Sequence, residues 1–423
     1  MAKIKEALMD FNPWWKGEFK ARFKEREIYQ KIQKFLALPQ IITLTGLRRV
    51  GKTTLIYKLV EDAIRKGADP KNIIYFSFDE FKEIEIRDIL KEYESLMGKD
   101  FKNDNHWLLL DEIQKLNYWE EQLKSIYDLF GKKVKIIISG SESLFLRRKS
   151  KETLAGRIFE FKIETLTFQE FLWFKNIVFK PVNLYHKELS RLFEEFTLTQ
   201  GFPELVGIND KEIIKKYVRE GIIEKVIYRD IPGLFKVKDA SIIEKILNLF
   251  SEEPGQLVEI SELAKELKIS RQTLSNYLSY LEDSFLVRKL YNFSKSRRKT
   301  ERKLKKYYPS VVSPDLLFSE DNLPKSKVFE WQIVSQLNAG FFWRDPYQHE
   351  VDIILTNREI MPVEVKYGKI DFGGLIAFMN KFKVKEAIII SRDKEEKYTI
   401  EGREIKVIPA FKFLLDFEYT MEV

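Results

Sequence analysis

Cysteine is absent from all 423 residues. That excludes structural disulfides, thiolate zinc sites and thiol nucleophiles together. Histidine is scarce: His106, His186 and His349 are far apart in the chain, so a histidine-ligated metal cluster is not expected. No run of about eighteen apolar residues occurs, and the opening MAKIKEALMDFNPWWKGEFK lacks the uninterrupted apolar stretch of a signal peptide. The expectation is a soluble cytoplasmic protein with no membrane partner. What is present is 44% hydrophobic and 33% charged, enough apolar content for packed cores and too much for a mainly disordered chain. The length calls for two to four domains.

The formal net charge is +8, from 73 Lys+Arg and 65 Asp+Glu. The excess is local. Residues 295–306, KSRRKTERKLKK, hold eight basic residues and one Glu, leaving 65 basic and 64 acidic residues elsewhere. Such a strip suits a phosphate backbone, through Arg297, Arg298, Lys299 and Arg302, or a solvated linker.

Strand and helix patterns alternate through the first half. Short apolar runs at 41–45, 73–78, 107–110 and 134–139 read as strands of a mainly parallel sheet, and 14–37 reads as a helix. The first strand runs into Gly46-Leu47-Arg48-Arg49-Val50-Gly51-Lys52-Thr53-Thr54, which satisfies G-x-x-x-x-G-K-[ST], and a helix follows to about residue 66. Glycines let backbone N–H groups wrap phosphates, and the helix start adds partial positive charge. Lys52 would reach the outer phosphates of ATP, and Thr53 would bind Mg²⁺. The third strand ends in Asp111-Glu112, where Asp111 would hold Mg²⁺ through water and Glu112 would polarise the attacking water. Ser139 and Ser141 end the fourth strand and could contact the γ-phosphate or that water. Arg157 is the candidate arginine acting on a neighbouring subunit's site, with Arg147 and Arg148 as alternatives.

From 241 to 293 the order is helix, helix, helix, then a strand-like LVRKLYNF, the order of a winged helix. Arg271, Gln272, Ser275 and Asn276 are polar positions near the start of the third helix, while Leu274, Tyr277, Leu278 and Leu281 form its apolar stripe. Such a surface serves DNA or a protein partner. Beyond 325, a helix leads into EVDIILTNREIMPVEVKY, read as a hairpin. Glu364 and Lys366 share one face of its second strand, Asp352 lies on the first, and Glu330 on the preceding helix offers a third carboxylate. This D…E-x-K set suits Mg²⁺ or Mn²⁺, held by Asp352 and Glu364, and phosphodiester cleavage.

GLRRVGKTT, LLLDEIQ, IIISGSES and LAGR, followed by GFPELV and Tyr228-Arg229-Asp230, resemble the prokaryotic AAA+ ATPases of archaeal type. The resemblance implies an α/β P-loop AAA+ ATPase with a helical lid, a winged-helix domain and a C-terminal restriction-endonuclease-like α/β domain. It supports the roles given to Lys52, Thr53, Asp111, Glu112, Arg157 and Ser139–Ser141. Expected boundaries are 1–195 for the ATPase with its N-terminal helix, 196–294 for the helical and winged-helix part, 295–324 for a basic linker and 325–423 for the nuclease-like domain. The expected activity is ATP hydrolysis by a DNA-acting homo-oligomer, with metal-dependent cleavage at the C-terminal set. Two other readings stand beside it: a nucleotide-controlled switch that binds protein through the winged helix and carries an inert C-terminal fold, and a DNA-remodelling ATPase that does not cut.

Overall fold

A computed structural model describes residues 2–101, 104–140, 152–235, 237–356 and 359–416. The chain divides into two compact units, residues 1–164 and 165–423.

In the first unit, β1 (Ile41–Thr45), β2 (Ile73–Ser77), β3 (His106–Asp111), β4 (Val134–Gly140) and β5 (Ile158–Lys162) form one sheet in the order β2-β3-β4-β1-β5. Every pairing in it is parallel. Strands buried on both faces need apolar residues at successive positions, and β1 and β4 meet that with Ile41, Ile42, Leu44, Ile136, Ile137 and Ile138. The strands expected from sequence are all present. β5 is additional. Its IFEFK alternates and is only half-buried because it is an edge strand, so it gives no strong apolar run.

The helix expected over 14–37 is confined to Glu27–Phe35. Upstream, the chain is held by its side chains. Asn12, fully buried, donates from Nδ2 to the Tyr75 carbonyl at 2.9 Å and accepts from the Tyr75 N–H at 2.7 Å. Both Trp14 and Trp15 donate indole N–H to the Ile73 carbonyl, at 3.0 and 2.9 Å. These contacts occupy backbone groups on the outer side of β2, an exposed sheet edge that would otherwise invite pairing with another chain.

In the second unit, helices Phe168–Phe174, His186–Thr199 and Lys211–Val218 precede helix Ala240–Glu252. Then come β6 (Gln256–Val258), helices Ile260–Glu266 and Arg271–Asp283, β7 (Val287–Asn292) and β8 (Lys305–Pro309). The stripe Leu274, Tyr277, Leu278 and Leu281 is buried, as its spacing predicts. β9 (Phe341–Arg344), β10 (Glu350–Val351), β11 (Ile353–Leu355), β12 (Met361–Lys366), β13 (Glu386–Ser391), β14 (Glu396–Ile400) and β15 (Arg403–Pro409) follow. One sheet has the order β10-β9-β7-β8-β6, and another β11-β12-β13-β15-β14.

Residues 295–324, expected as a linker, instead contain the helix Arg297–Arg302 and β8, an interior strand of the first of these sheets. The lysines around it hide a short apolar face, Tyr307, Tyr308 and Pro309, which packs inward. The helix expected at 327–338 runs over Asn322–Gln336. The expected hairpin is present as the antiparallel pair β11/β12, with Ile353 opposite Val363, although residues 357–358 of its turn lie outside the described residues.

Replacing Asn12 with Ala should leave the β2 backbone groups of Tyr75 buried and unpaired. We expect a stability loss of about 1–3 kcal/mol in denaturant unfolding. An unchanged midpoint would show that the edge does not depend on this side chain.

Candidate nucleotide site and a buried carboxylate cluster

The 46–53 segment loops from β1 to helix Lys52–Arg65 within the first unit. Gly46 has φ +145°, and a Cβ there would lie 2.2 Å from the Ile163 carbonyl oxygen, so only glycine lets the loop pass the end of β5. Leu47 and Val50 are buried and fix the loop, while Arg48 is half-buried and Arg49 and Thr54 are exposed. Lys52 is buried and its Nζ donates to the Gly46 and Leu47 carbonyls, both at 2.9 Å.

Asp111, at the end of β3, gathers hydroxyls from three directions. Thr53 Oγ1 donates to Oδ2 at 2.7 Å, and Tyr75 Oη donates to the same oxygen at 2.8 Å. Ser139 Oγ donates to Oδ1. Thr53 and Asp111, the two expected Mg²⁺ ligands, are therefore adjacent. A hydroxyl oxygen beside a carboxylate suits a hard divalent cation. Ser139 spends its hydroxyl on Asp111. Ser141, Arg147 and Arg148 lie outside the described residues.

Glu112 takes a left-handed conformation with φ 54°. Its Oε2 accepts from Gln114 Nε2 at 2.7 Å, and burial raises its pKa against the lowering influence of Lys52, Lys115 and Arg48. A half-buried, proton-seeking carboxylate near the loop lysine suits a general base.

Arg157 is not brought to this loop. It precedes β5, whose register pairs Ile158 with Ile41 and Lys162 with Thr45, so it lies at the opposite end of the strand, about 16 Å along it. There it pairs with Asp128 at 3.2 Å and lies over the Tyr127 ring.

Sequence reading missed Arg26. Its guanidinium is buried and donates from Nη1 to the Val50 carbonyl and from Nη2 to the Glu164 carbonyl, both at 2.9 Å. It ties the 46–53 loop to the end of the unit. An isolated arginine in a basic stretch carries no local signal for that. Tyr75 was also missed, because it reads as an ordinary apolar strand position.

In the second unit, Asp352 falls between β10 and β11, where the chain passes from one sheet to the other. Its Oδ2 accepts from the Val365 N–H at 2.8 Å. Burial, then Glu364 and Glu330, push its pKa well up. Burial likewise pushes Glu364 up to about 7, against the pull of Lys366. Lys366 Nζ lies 2.9 Å from Glu364 Oε1 and 3.4 Å from Asp371 Oδ2. Glu364 Oε2 is buried with no hydrogen-bond partner among the described residues.

Glu330 was expected as a third carboxylate of the set. It is close, but its Oε1 accepts from Tyr308 Oη at 2.6 Å and lies 3.6 Å from Lys306 Nζ. Among the described residues, no group of three or more acidic or histidine side chains is arranged to hold a metal. Lys306 was expected within the solvent-facing basic strip. It is instead only 5% exposed, and its Nζ lies 2.5 Å from Glu350 Oε1. Burial opposes its charge, but Tyr308, Glu330, Asp352 and Glu350 together hold its pKa well above the usual lysine value. Gly374 permits the close approach of the helix Gly373–Phe382, since a Cβ there would lie 1.9 Å from the Glu350 carbonyl oxygen.

The remaining candidates lie on the surface of this unit. Arg271, Gln272 and Asn276 are exposed and Ser275 is half-buried on the helix Arg271–Asp283, where Gln272 Nε2 donates to Asn276 Oδ1 at 3.0 Å. Arg297, Arg298 and Lys299 are exposed, and the side chain of Arg302 lies outside the described residues.

Residues 38–172 match the family model of an AAA domain. This part of the chain is therefore similar to AAA domains, and it carries a parallel α/β sheet. Residues 190–310 match the model of a domain of unknown function. An uncharacterized protein of Methanocaldococcus jannaschii is 27% identical, covering 94% of this chain and 89% of its own length. A second from that organism is 29% identical over 93% of this chain and 92% of its own. An uncharacterized Haemophilus influenzae protein is 28% identical over 64% of this chain and 67% of its own. Among the described residues, no helix is long and apolar enough to cross a membrane.

Two measurements probe these geometries. Arg26→Met keeps every residue of the 46–53 loop but removes its clamp, and losing a charged hydrogen bond should raise the Kd for ATP roughly tenfold. Titration with a fluorescent ATP analogue reads this, and an unchanged Kd would show the clamp to be dispensable. For Glu364, the raised pKa means that the folded state favours the protonated acid. That stability is fully present below the usual value of 4.5 and lost as pH rises through about 7. Glu364→Gln removes this loss. In metal-free buffer its Tm, relative to wild type, should therefore be higher at pH 8 than at pH 5. A pH-independent difference would mean that Glu364 titrates normally.

Proposed function

We propose that the chain is an ATP-hydrolysing protein that acts on DNA. The hydrolytic part rests chiefly on one observation, the contact of Thr53 with Asp111 beside Lys52 and the half-buried Glu112. When ATP enters, Lys52 would exchange the Gly46 and Leu47 carbonyls for phosphate oxygens. Backbone N–H groups of the 46–53 loop and of the start of helix Lys52–Arg65 would surround the phosphates. Thr53 and Asp111 would hold Mg²⁺, which supplies charge neutralisation at the phosphates. Glu112 would orient the attacking water and draw its proton. Ser139, through Asp111, would sense the state of the site. Arg157 points to a homo-oligomer: its place at the far end of β5 suits a residue that serves another copy's nucleotide.

The DNA part rests on the second unit. The order helix, β6, helix, helix, β7, β8, with β8 between β6 and β7, supports a winged-helix reading. Arg271, Gln272, Ser275 and Asn276 would meet base edges or phosphates, and Arg297, Arg298, Lys299 and Arg302 the backbone. On this reading the proposed winged-helix region extends through β8 rather than ending at 294, and the nuclease-like region begins near 325. A second reading is metal-dependent strand cleavage by the C-terminal set. The buried Glu364 Oε2 without a partner, beside Asp352, favours a cation there. Two carboxylates fit Mg²⁺ or Mn²⁺, and Lys366 would stabilise negative charge on the phosphate under attack.

Lys52→Ala should abolish ATP turnover, while Glu112→Gln should bind ATP with near-normal affinity yet hydrolyse it at least about a hundredfold more slowly. Phosphate release and equilibrium nucleotide binding report both. Normal hydrolysis by Glu112→Gln would remove Glu112 from the role of base.

A further inference from the structure

Between the end of β7, the helix Arg297–Arg302, the start of the β9–β10 turn and the C-terminal end of helix Gly373–Phe382 lies a cleft of about 690 Å³. A cleft of this size is in the range of ligand sites. Lys295, Lys299, Lys303, Arg344 and Lys381 all line it, and Asp345 is the one carboxylate among the described lining residues. That carboxylate is already engaged, accepting from the N–H groups of Tyr347 and His349 at 2.9 and 3.0 Å and pairing with the His349 ring at 3.0 Å.

Among the described residues, no lysine of the cleft forms an ion pair. Lys303 Nζ donates only to neutral acceptors among the described residues, Asn292 Oδ1 at 3.2 Å and the Phe293 carbonyl at 3.4 Å. Lys381 Nζ lies 5.3 Å from the Trp343 ring centroid. Burial first, then the charges of Lys381 and Lys299, lower the pKa of Lys303 against the opposing charge of Asp345. Five cations around a concave space, opposed only by Asp345 and by the pairing of Arg344 with Glu350, form a site for an anion. The indole N–H of Trp343, buried in the wall of the cleft, also has no hydrogen-bond acceptor among the described residues.

We propose that this cleft binds the phosphodiester backbone of a nucleic-acid strand and delivers it beside the buried carboxylate cluster. Arg344 carries the connection. It lines the cleft and reaches Glu350 Oε2 at 2.9 Å, while Glu350 Oε1 meets Lys306 and Lys306 meets Glu330. A phosphate competing for Arg344 would loosen its hold on Glu350, so occupancy of the cleft is felt inside the cluster. The basic strip alone does not make this site, because Arg344 and Lys381 lie well beyond it in the chain. The inference rests on the reading that the protein acts on DNA and adds the place where the strand is held.

The test is Lys303→Gln/Lys381→Gln compared with wild type, using anisotropy of a fluorescent duplex across salt concentrations. Lys295→Gln/Lys381→Gln, at two exposed positions, repeats the measurement should the first pair disturb folding. ATPase activity without DNA, unchanged in both pairs, certifies the folded protein. Each pair should weaken binding roughly tenfold and reduce the slope of log affinity against log salt by about two, one for each lost phosphate contact. Wild-type affinity and slope in both pairs would overturn the cleft while leaving the DNA reading in place. Failure of wild type to bind duplex or single-stranded DNA at low salt would overturn both. A further arm measures ATP binding in a Lys52→Ala background. Residual binding there that disappears with Lys303→Gln/Lys381→Gln would identify a free nucleotide as the occupant and overturn the strand assignment.

Discussion

A carboxylate taken out of water must find donors or cations, and this constraint organises both units of the chain. In the first unit Asp111 finds hydroxyls. Thr53, Tyr75 and Ser139 reach it from the P-loop helix, from β2 and from β4, so one acid ties together three elements of the nucleotide site. Tyr75 is in turn held through its backbone by Asn12. The N-terminal segment thus protects a sheet edge and also steadies the residue that shapes the acid. Hydroxyls can turn away from Asp111 when a cation arrives, which a lysine partner would resist.

The second unit solves the same problem with cations. Asp352, Glu364, Glu330 and Glu350 share a small buried volume with Lys306 and Lys366. Carboxylates this close cannot all ionise without compensation, and two of them keep raised pKa values despite the lysines. Lys306 stands on β8 and Glu330 on the helix Asn322–Gln336, so the cluster draws its balance from outside the hairpin that bears Asp352 and Glu364. The parallel pairing of β7 with β9, Tyr291 beside Phe341 and Asn292 beside Phe342, puts β8 and β10 into one sheet, from which the chain passes through Asp352 into the sheet of β11 and β12. The proposed DNA-reading segment and the proposed cutting segment therefore share a hydrogen-bonded framework.

Much of this was legible in the sequence where local pattern and burial agree. Strands β1 to β4 are apolar runs because parallel strands covered on both faces must be, and the P-loop glycines announce a turn that other residues cannot make. Asp352, Glu364 and Lys366 were readable because the two-residue period of a strand and a short hairpin put them together. What was not legible depends on contacts distant in sequence. Arg26 and Val50 are far apart in the chain, and nothing near either marks the bond between them. β5 was hidden by the half-buried alternation of an edge strand, and β8 by its own lysines.

The basic strip shows how charge in a sequence and charge in a structure differ. Eight cations in twelve residues look like one solvated surface. Folding sorts them by depth. Arg297, Arg298 and Lys299 remain exposed, Lys303 is half-buried against other lysines, and Lys306 is enclosed among carboxylates. The exposed ones and Lys303 can meet a phosphate directly. The innermost, Lys306, pairs with Glu350 and lies near Glu330, and its charge also opposes the raised pKa of the buried Asp352. On the proposed reading, attraction for a nucleic acid and the pairing of buried acids both come from one run of basic residues, divided by the strand that carries its last members indoors.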